Sequence, residues 1–99
     1  MSVRSYIKRA DEYYQEINYN ALDFEALIGT SKDKSLRIQT PDGFCIYANP
    51  DANGESMGHT VDITGVLRFW YGTFIITKET GEVLQDMSET DLHNFAMAS

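Results

Sequence analysis

The segment from Asp51 to Asp62 is where residue types and spacing first suggest chemistry. Counted from Asp51, positions 1, 3, 5, 9 and 12 are Asp51, Asn53, Glu55, His59 and Asp62, an oxygen-rich series reminiscent of a calcium loop. Such a loop needs glycine at position 6 for its sharp turn, and Ser56 stands there; Gly54 comes two positions early. The closing ligand is Asp62 rather than a longer glutamate, and the flanks read as strands instead of helices. The stretch 49–59 is therefore expected to be a turn-rich loop that uses Asn, Asp, Pro and Gly for their backbone preferences. It is long for a connection, which marks it as a candidate contact surface, and no metal is expected on it.

Covalent chemistry has equally little support. Cys45 lies in mid-strand between Phe44 and Ile46, with no helix N-terminus or cationic neighbour in sequence to favour its thiolate. His59 and His93 are far apart, and neither belongs to a metal-binding or nucleophile–base spacing. Ser31, Ser35, Ser56 and Ser88 lack a Gly-x-Ser-x-Gly context, and Gly54 and Gly58 are not followed by the Lys-Ser/Thr of a phosphate loop. The expectation is a protein that is not an enzyme and that needs no cofactor.

Charge and aromatic content carry more information. The chain has 99 residues, 15 acidic and 8 basic, for a net charge of −7. Residues 1–50 contain six basic and seven acidic side chains, whereas residues 51–99 contain two basic side chains, Arg68 and Lys78, against eight acidic ones. An acidic chain cannot release counterions from a nucleic-acid backbone, so direct nucleic-acid binding is not expected. Simple solubility accounts for such a charge; the functional reading is a negative face that steers toward a basic partner. Asp51, Glu55, Asp62, Glu79, Glu82, Asp86, Glu89 and Asp91 are the candidate acidic contacts.

Seven large polar aromatics, Tyr6, Tyr13, Tyr14, Tyr19, Tyr47, Trp70 and Tyr71, exceed what one small core readily encloses. If Leu67, Phe69 and Tyr71 alternate inward, Val66, Arg68 and Trp70 share the outer face. Arg68 and Trp70 near Tyr47 are then residue types enriched at binding hot spots. The alternatives are that layers on both sheet faces bury Trp70, that Arg68 caps the indole, or that the aromatics stack single-stranded bases. The last lacks a basic groove.

The elements that must position these groups follow from periodicity. Val3, Ile7, Ala10, Tyr14 and Ile17 recur at 4-3-4-3 spacing, which predicts an amphipathic helix over 3–17, ended by Asn18 and Asn20. A second helix is expected at 21–28, stopped by Gly29. From Ser35 the period becomes two, and Pro41-Asp42-Gly43 is the turn of a hairpin joining 35–40 to 44–49. Thr60–Thr77 is rich in β-branched and aromatic residues, with Gly65 and Gly72 at bends. A further turn at 78–81 returns as 82–86, and Ser88-Glu89-Thr90-Asp91 has capping-box spacing before a final helix.

The expected fold is a single α+β domain over 1–99: an N-terminal helix pair, a four- to five-stranded antiparallel sheet with helices covering one face, and a short C-terminal helix. One cysteine precludes an internal disulfide, and the absence of an apolar leader or span points to a cytoplasmic protein away from membranes. The function expected is a small acidic protein-binding module, an inhibitor that occupies the basic surface of a nuclease or nucleic-acid-binding complex. Phage-encoded inhibitors of restriction and CRISPR systems, and nuclease immunity proteins, use this device. The likeness is one of size, charge and missing catalytic residues; no motif identifies either group. The alternative is a homo-oligomeric assembly protein, for example a homodimer, paired through the Tyr-rich first helix or a sheet edge.

Overall fold

The computed structural model describes residues 2–52, 56–81 and 83–98. The chain opens with a hairpin, β1 (Val3–Lys8) and β2 (Gln15–Tyr19), where the sequence pattern predicts a helix. The register runs from Val3 opposite Tyr19 to Ile7 opposite Gln15. The turn between them places Asp11 at φ 62°, a left-handed conformation that short polar side chains tolerate. The misreading has a physical cause: β1 is buried on both faces, so Ser5, Tyr6 and Ile7 are consecutive buried residues and the polar–apolar alternation of a half-exposed strand is absent.

The next segments follow expectation more closely. A short 3-10 turn (Ala21–Asp23) leads into α1 (Phe24–Ile28), and Gly29 stops it at φ 88°, donating its backbone N–H to the Glu25 carbonyl. After a second 3-10 turn (Lys32–Lys34), β3 (Leu36–Gln39) and β4 (Phe44–Ala48) form the hairpin around Pro41-Asp42-Gly43. Gly43 takes φ 89°, as the turn requires. Then come β5 (Met57–Val61), β6 (Leu67–Tyr71), β7 (Phe74–Thr80), β8 (Val83–Gln85) and α2 (Glu89–Ala98).

Six strands form one antiparallel sheet in the order β2-β1-β7-β4-β3, with β8 also pairing β7. Strands β5 and β6 pair only with each other, as a separate two-stranded ribbon. The architecture is mixed α/β and mostly sheet. It has neither an N-terminal helix pair nor a sheet of only four or five strands.

Both faces of the large sheet are covered. On one, Ile7, Cys45, Tyr47 and Ile75 pack against Phe24 and Ile28 of α1. On the other, Tyr6, Ile46, Phe74 and Ile76 pack with Trp70 from the ribbon and Phe95 from α2. This double coverage explains why every residue of β4 is buried.

The start of α2 is fixed by reciprocal capping. Asp91 donates its backbone N–H to Ser88 Oγ at 3.1 Å, and Ser88 donates its own to Asp91 Oδ2 at 2.9 Å. Ser88→Ala removes one half of the box and is expected to cost about 1 kcal/mol. Hydrogen exchange should show the loss as faster exchange confined to the first turn of α2; unchanged protection there would mean that packing of Phe95 alone holds the helix.

Candidate interaction surface

Of the carboxylates proposed as a contact patch, Asp62, Glu79 and Asp91 are committed to the fold. Asp62, which is buried, closes the β5–β6 turn. Its Oδ1 accepts the Thr64 hydroxyl at 2.6 Å, the Thr64 N–H at 2.9 Å and the Val66 N–H at 3.1 Å, while Oδ2 meets Arg68 at 3.3 Å. The Thr64 hydroxyl and the Val66 N–H outweigh burial and hold the carboxyl down at about 2. Asp91 is spent on the α2 cap and on Lys78 at 3.3 Å. Asp86 accepts the Arg4 backbone N–H at 2.8 Å at an exposed position. Asp51 and Glu89 are exposed. Glu55 and Glu82 lie outside the described residues.

Glu79 is the centre of a polar network under α1. Its Oε2 accepts hydroxyl protons from Thr77 at 2.6 Å and Tyr47 at 2.8 Å, and Arg37 lies 3.4 Å from Oε1. Arg37 also donates to Tyr47 Oη at 3.2 Å and to Cys45 Sγ at 3.3 Å. Burial pushes the Glu79 carboxyl up, but hydrogen bonds from Thr77, Tyr47 and Cys45 together with the Arg37 charge bring it below its usual value. Burial and the nearby Glu79 charge push the Cys45 thiol up to about 12, so this thiol has almost no thiolate character at neutral pH. The network ties β3, β4 and β7 together. Sequence reasoning missed Arg37, yet the β3–β4 hairpin contains the signal: its register sets Arg37 directly opposite Tyr47.

The three proposed anchors do not form one exposed cluster. Tyr47 is 2% exposed beneath α1, Trp70 is 3% exposed on the other side of the sheet, and Arg68 is ion-paired to Asp62. The phase of β6 is the reverse of the inward reading of Leu67, Phe69 and Tyr71. Gly58 shows why: it faces Trp70 across the ribbon, and a Cβ there would lie 2.3 Å from the indole Cε2. The hollow over a glycine makes room for so large a ring, and seating it inward sends the odd-numbered residues out.

That inversion creates the main exposed feature of the molecule. On the outer face of the ribbon, Met57 stands opposite Tyr71, His59 opposite Phe69, and Val61 opposite Leu67. The five apolar members of these pairs are 40–55% exposed, and Ile63 and Val66 extend the strip onto the turn. Their exposed area is on the order of 600 Å², the upper end for the largest apolar patch of an ordinary monomer. Residues 56–78 contain a single acidic side chain, Asp62, already neutralised by Arg68, so the strip is uncharged within a chain of net charge −7.

Among the described residues, no cluster of three or more His, Cys, Asp or Glu side chains could hold a metal ion, and no helix is long and apolar enough to cross a membrane. No family model matches this chain, and neither a curated protein nor a solved structure matches it.

Proposed function

We propose that this chain is a non-enzymatic protein-binding module that docks through the outer face of the β5–β6 ribbon. The observation that carries the reading is the uncharged row of Met57, Val61, Leu67, Phe69 and Tyr71 on an otherwise acidic molecule. Exposing such a row costs solubility, and burying it against a partner recovers roughly 25 cal/mol per Å² of apolar surface before association costs. The partner has an apolar groove rimmed by basic residues. The strip supplies the affinity, and Asp51, Asp86, Glu89 and the other exposed carboxylates raise the association rate. A nuclease or other nucleic-acid-handling protein offers such a rim, which keeps the inhibitor reading in its electrostatic part and moves its anchor to the ribbon.

A second copy of the chain is the other occupant the same surface favours, because two acidic chains repel least where neither carries acid. The experiment is a pair of variants, Leu67→Asp and Phe69→Asp, in capture from nuclease-treated lysate at roughly 50 and 300 mM salt, beside light scattering over a range of concentrations. Each replaces a half-exposed side chain, so the melting temperature should fall little. A monomer that captures a stoichiometric basic partner, salt-sensitively, and loses it with either variant supports the module. A wild-type dimer that the variants dissociate assigns the ribbon to self-assembly. Partner capture unchanged by both variants would overturn the ribbon as the docking face.

A further inference from the structure

Beyond protein docking, the structure holds a cleft of about 200 Å³ between the ribbon and the end of β1. Its apolar wall is aromatic: Tyr14, Trp70, Phe74 and Phe95 line it, with Phe74 edge-on both to Trp70 at a centroid distance of 5.0 Å and to Tyr14 at 6.1 Å. Its polar side is cationic. Lys8 and Arg9 line it, and no aspartate or glutamate does so among the described residues. Lys8 donates only to the Arg9 carbonyl at 3.4 Å, and Arg9 only to the Gln15 amide oxygen at 3.0 Å. Neither is in an ion pair among the described residues, although Asp11 and Glu12 share a neighbouring cleft with Lys8. The Nε1–H of Trp70, sealed in the wall against Gly58, has no acceptor among the described residues. The cleft thus gathers positive charge with no carboxylate among its described lining residues, on a protein with almost twice as many acids as bases.

We propose that this cleft is a binding site for a small monocyclic aromatic anion, its ring against Trp70 and Phe74 and its anionic group on Lys8 and Arg9. The volume of the cleft suits one ring with one charged substituent, since an apolar cavity of about 150 Å³ is enough for benzene. Ring faces and edges favour an aromatic guest through offset and edge-to-face contacts. Guanidinium and ammonium groups select a carboxylate or phosphate, which accepts charge-assisted hydrogen bonds from either.

The protein's single tryptophan lies in the wall, so its fluorescence reports on this cleft directly. The test titrates the protein with benzoate, phenyl phosphate and neutral benzamide up to about 10 mM, a range that captures millimolar dissociation constants. The expected result is a saturable Trp70 signal with one or both anions, and affinity at least about tenfold weaker for benzamide, as loss of a charge-assisted contact implies. Whichever anion binds more tightly identifies the head group as carboxylate or phosphate. Lys8→Ala with Arg9→Ala should abolish the response, and Lys8→Arg should retain it. If the double variant does not fold, the salt dependence of benzoate binding by the unaltered protein decides, because binding through two cations weakens as salt rises. Equal affinity for benzamide, or no saturable signal with either anion, overturns the proposal. Binding by Leu67→Asp and Phe69→Asp separates this site from the docking face, since neither residue lines the cleft.

Discussion

Trp70→Ala is expected to lower the unfolding free energy by about 3–5 kcal/mol, the usual cost of deleting a large buried aromatic. Stability of a small domain totals about 5–15 kcal/mol, so the variant should be marginal or unfolded at physiological temperature. The indole is 3% exposed, packs edge-on against Phe74, and joins the ribbon to the large sheet. Its loss leaves a hole where two layers meet. Denaturant melts measure the effect. A variant that keeps its stability while losing a partner would instead make the ring a contact residue. Gly58→Val offers an approach from the opposite side of the same contact. A Cβ at that position lies 2.5 Å from both Trp70 Nε1 and Cζ2, so the indole must leave its seat or the strands must part. Overpacking of this kind costs about 1–3 kcal/mol, less than removal of the ring but of the same sign. If both variants lower stability while Phe69→Asp does not, the inside and outside of the ribbon are assigned by experiment.

How far this arrangement can be read from sequence depends on how local its causes are. The β3–β4 hairpin is legible because Pro41-Asp42-Gly43 dictates a turn and Leu36 and Ile38 alternate with Arg37 and Gln39. The Gly29 stop and the Ser88–Asp91 box are legible for the same reason, as each is complete within four or five residues. The first hairpin is not, because a strand covered on both faces loses its period-two pattern. Val3, Ile7, Tyr14 and Ile17 then imitate a helical stripe although they belong to different strands and to the turn between them. Besides the local β1–β2 hairpin, the pairing of β1 with β7, nearly seventy residues away, rewards the extended form, and no local pattern announces it. The phase of β6 fails similarly: the charged Arg68 makes Leu67, Phe69 and Tyr71 look like the inward set, and what reverses them is the absent side chain at Gly58 on the partner strand, which seats Trp70 inward. The acidic residues could be counted from sequence, but the bonds of Asp62 to its turn and of Glu79 to Thr77 and Tyr47 depend on the folded backbone.

Glu79→Leu is expected to cost about 2–3 kcal/mol at neutral pH, and Glu79→Gln less, with a pH dependence that identifies the cause. The carboxylate receives Thr77 at 2.6 Å and Tyr47 at 2.8 Å and lies beside Arg37 at 3.4 Å. Hydrogen bonds to a charged acceptor contribute more than neutral ones, and removing the acceptor leaves the buried Tyr47 and Thr77 hydroxyls short of a partner. Glutamine keeps one oxygen, and both hydroxyls can rotate to accept from its amide, so part of the network survives. The sign of the pH effect follows from the depressed carboxyl. A group whose folded pKa lies below its unfolded value, about 4.3 for Glu, binds protons more readily when unfolded. Its stabilisation is complete above the unfolded value and is lost as pH falls through the folded one. Asp62, held at about 2, and Asp91, lowered by the Ser88 N–H and by Lys78, act in the same direction. Stability of the unaltered protein should therefore be flat with respect to these three groups above about pH 5 and decline below about pH 4. In Glu79→Gln one of the three contributions is missing, so the gap between variant and parent should be constant near neutrality and narrow in acid. Denaturant melts at a series of pH values measure that gap directly. A gap that stays the same into the acid range would mean that Glu79 acts through its shape and packing, and that its charge contributes nothing to the tie between Arg37, Tyr47 and β7.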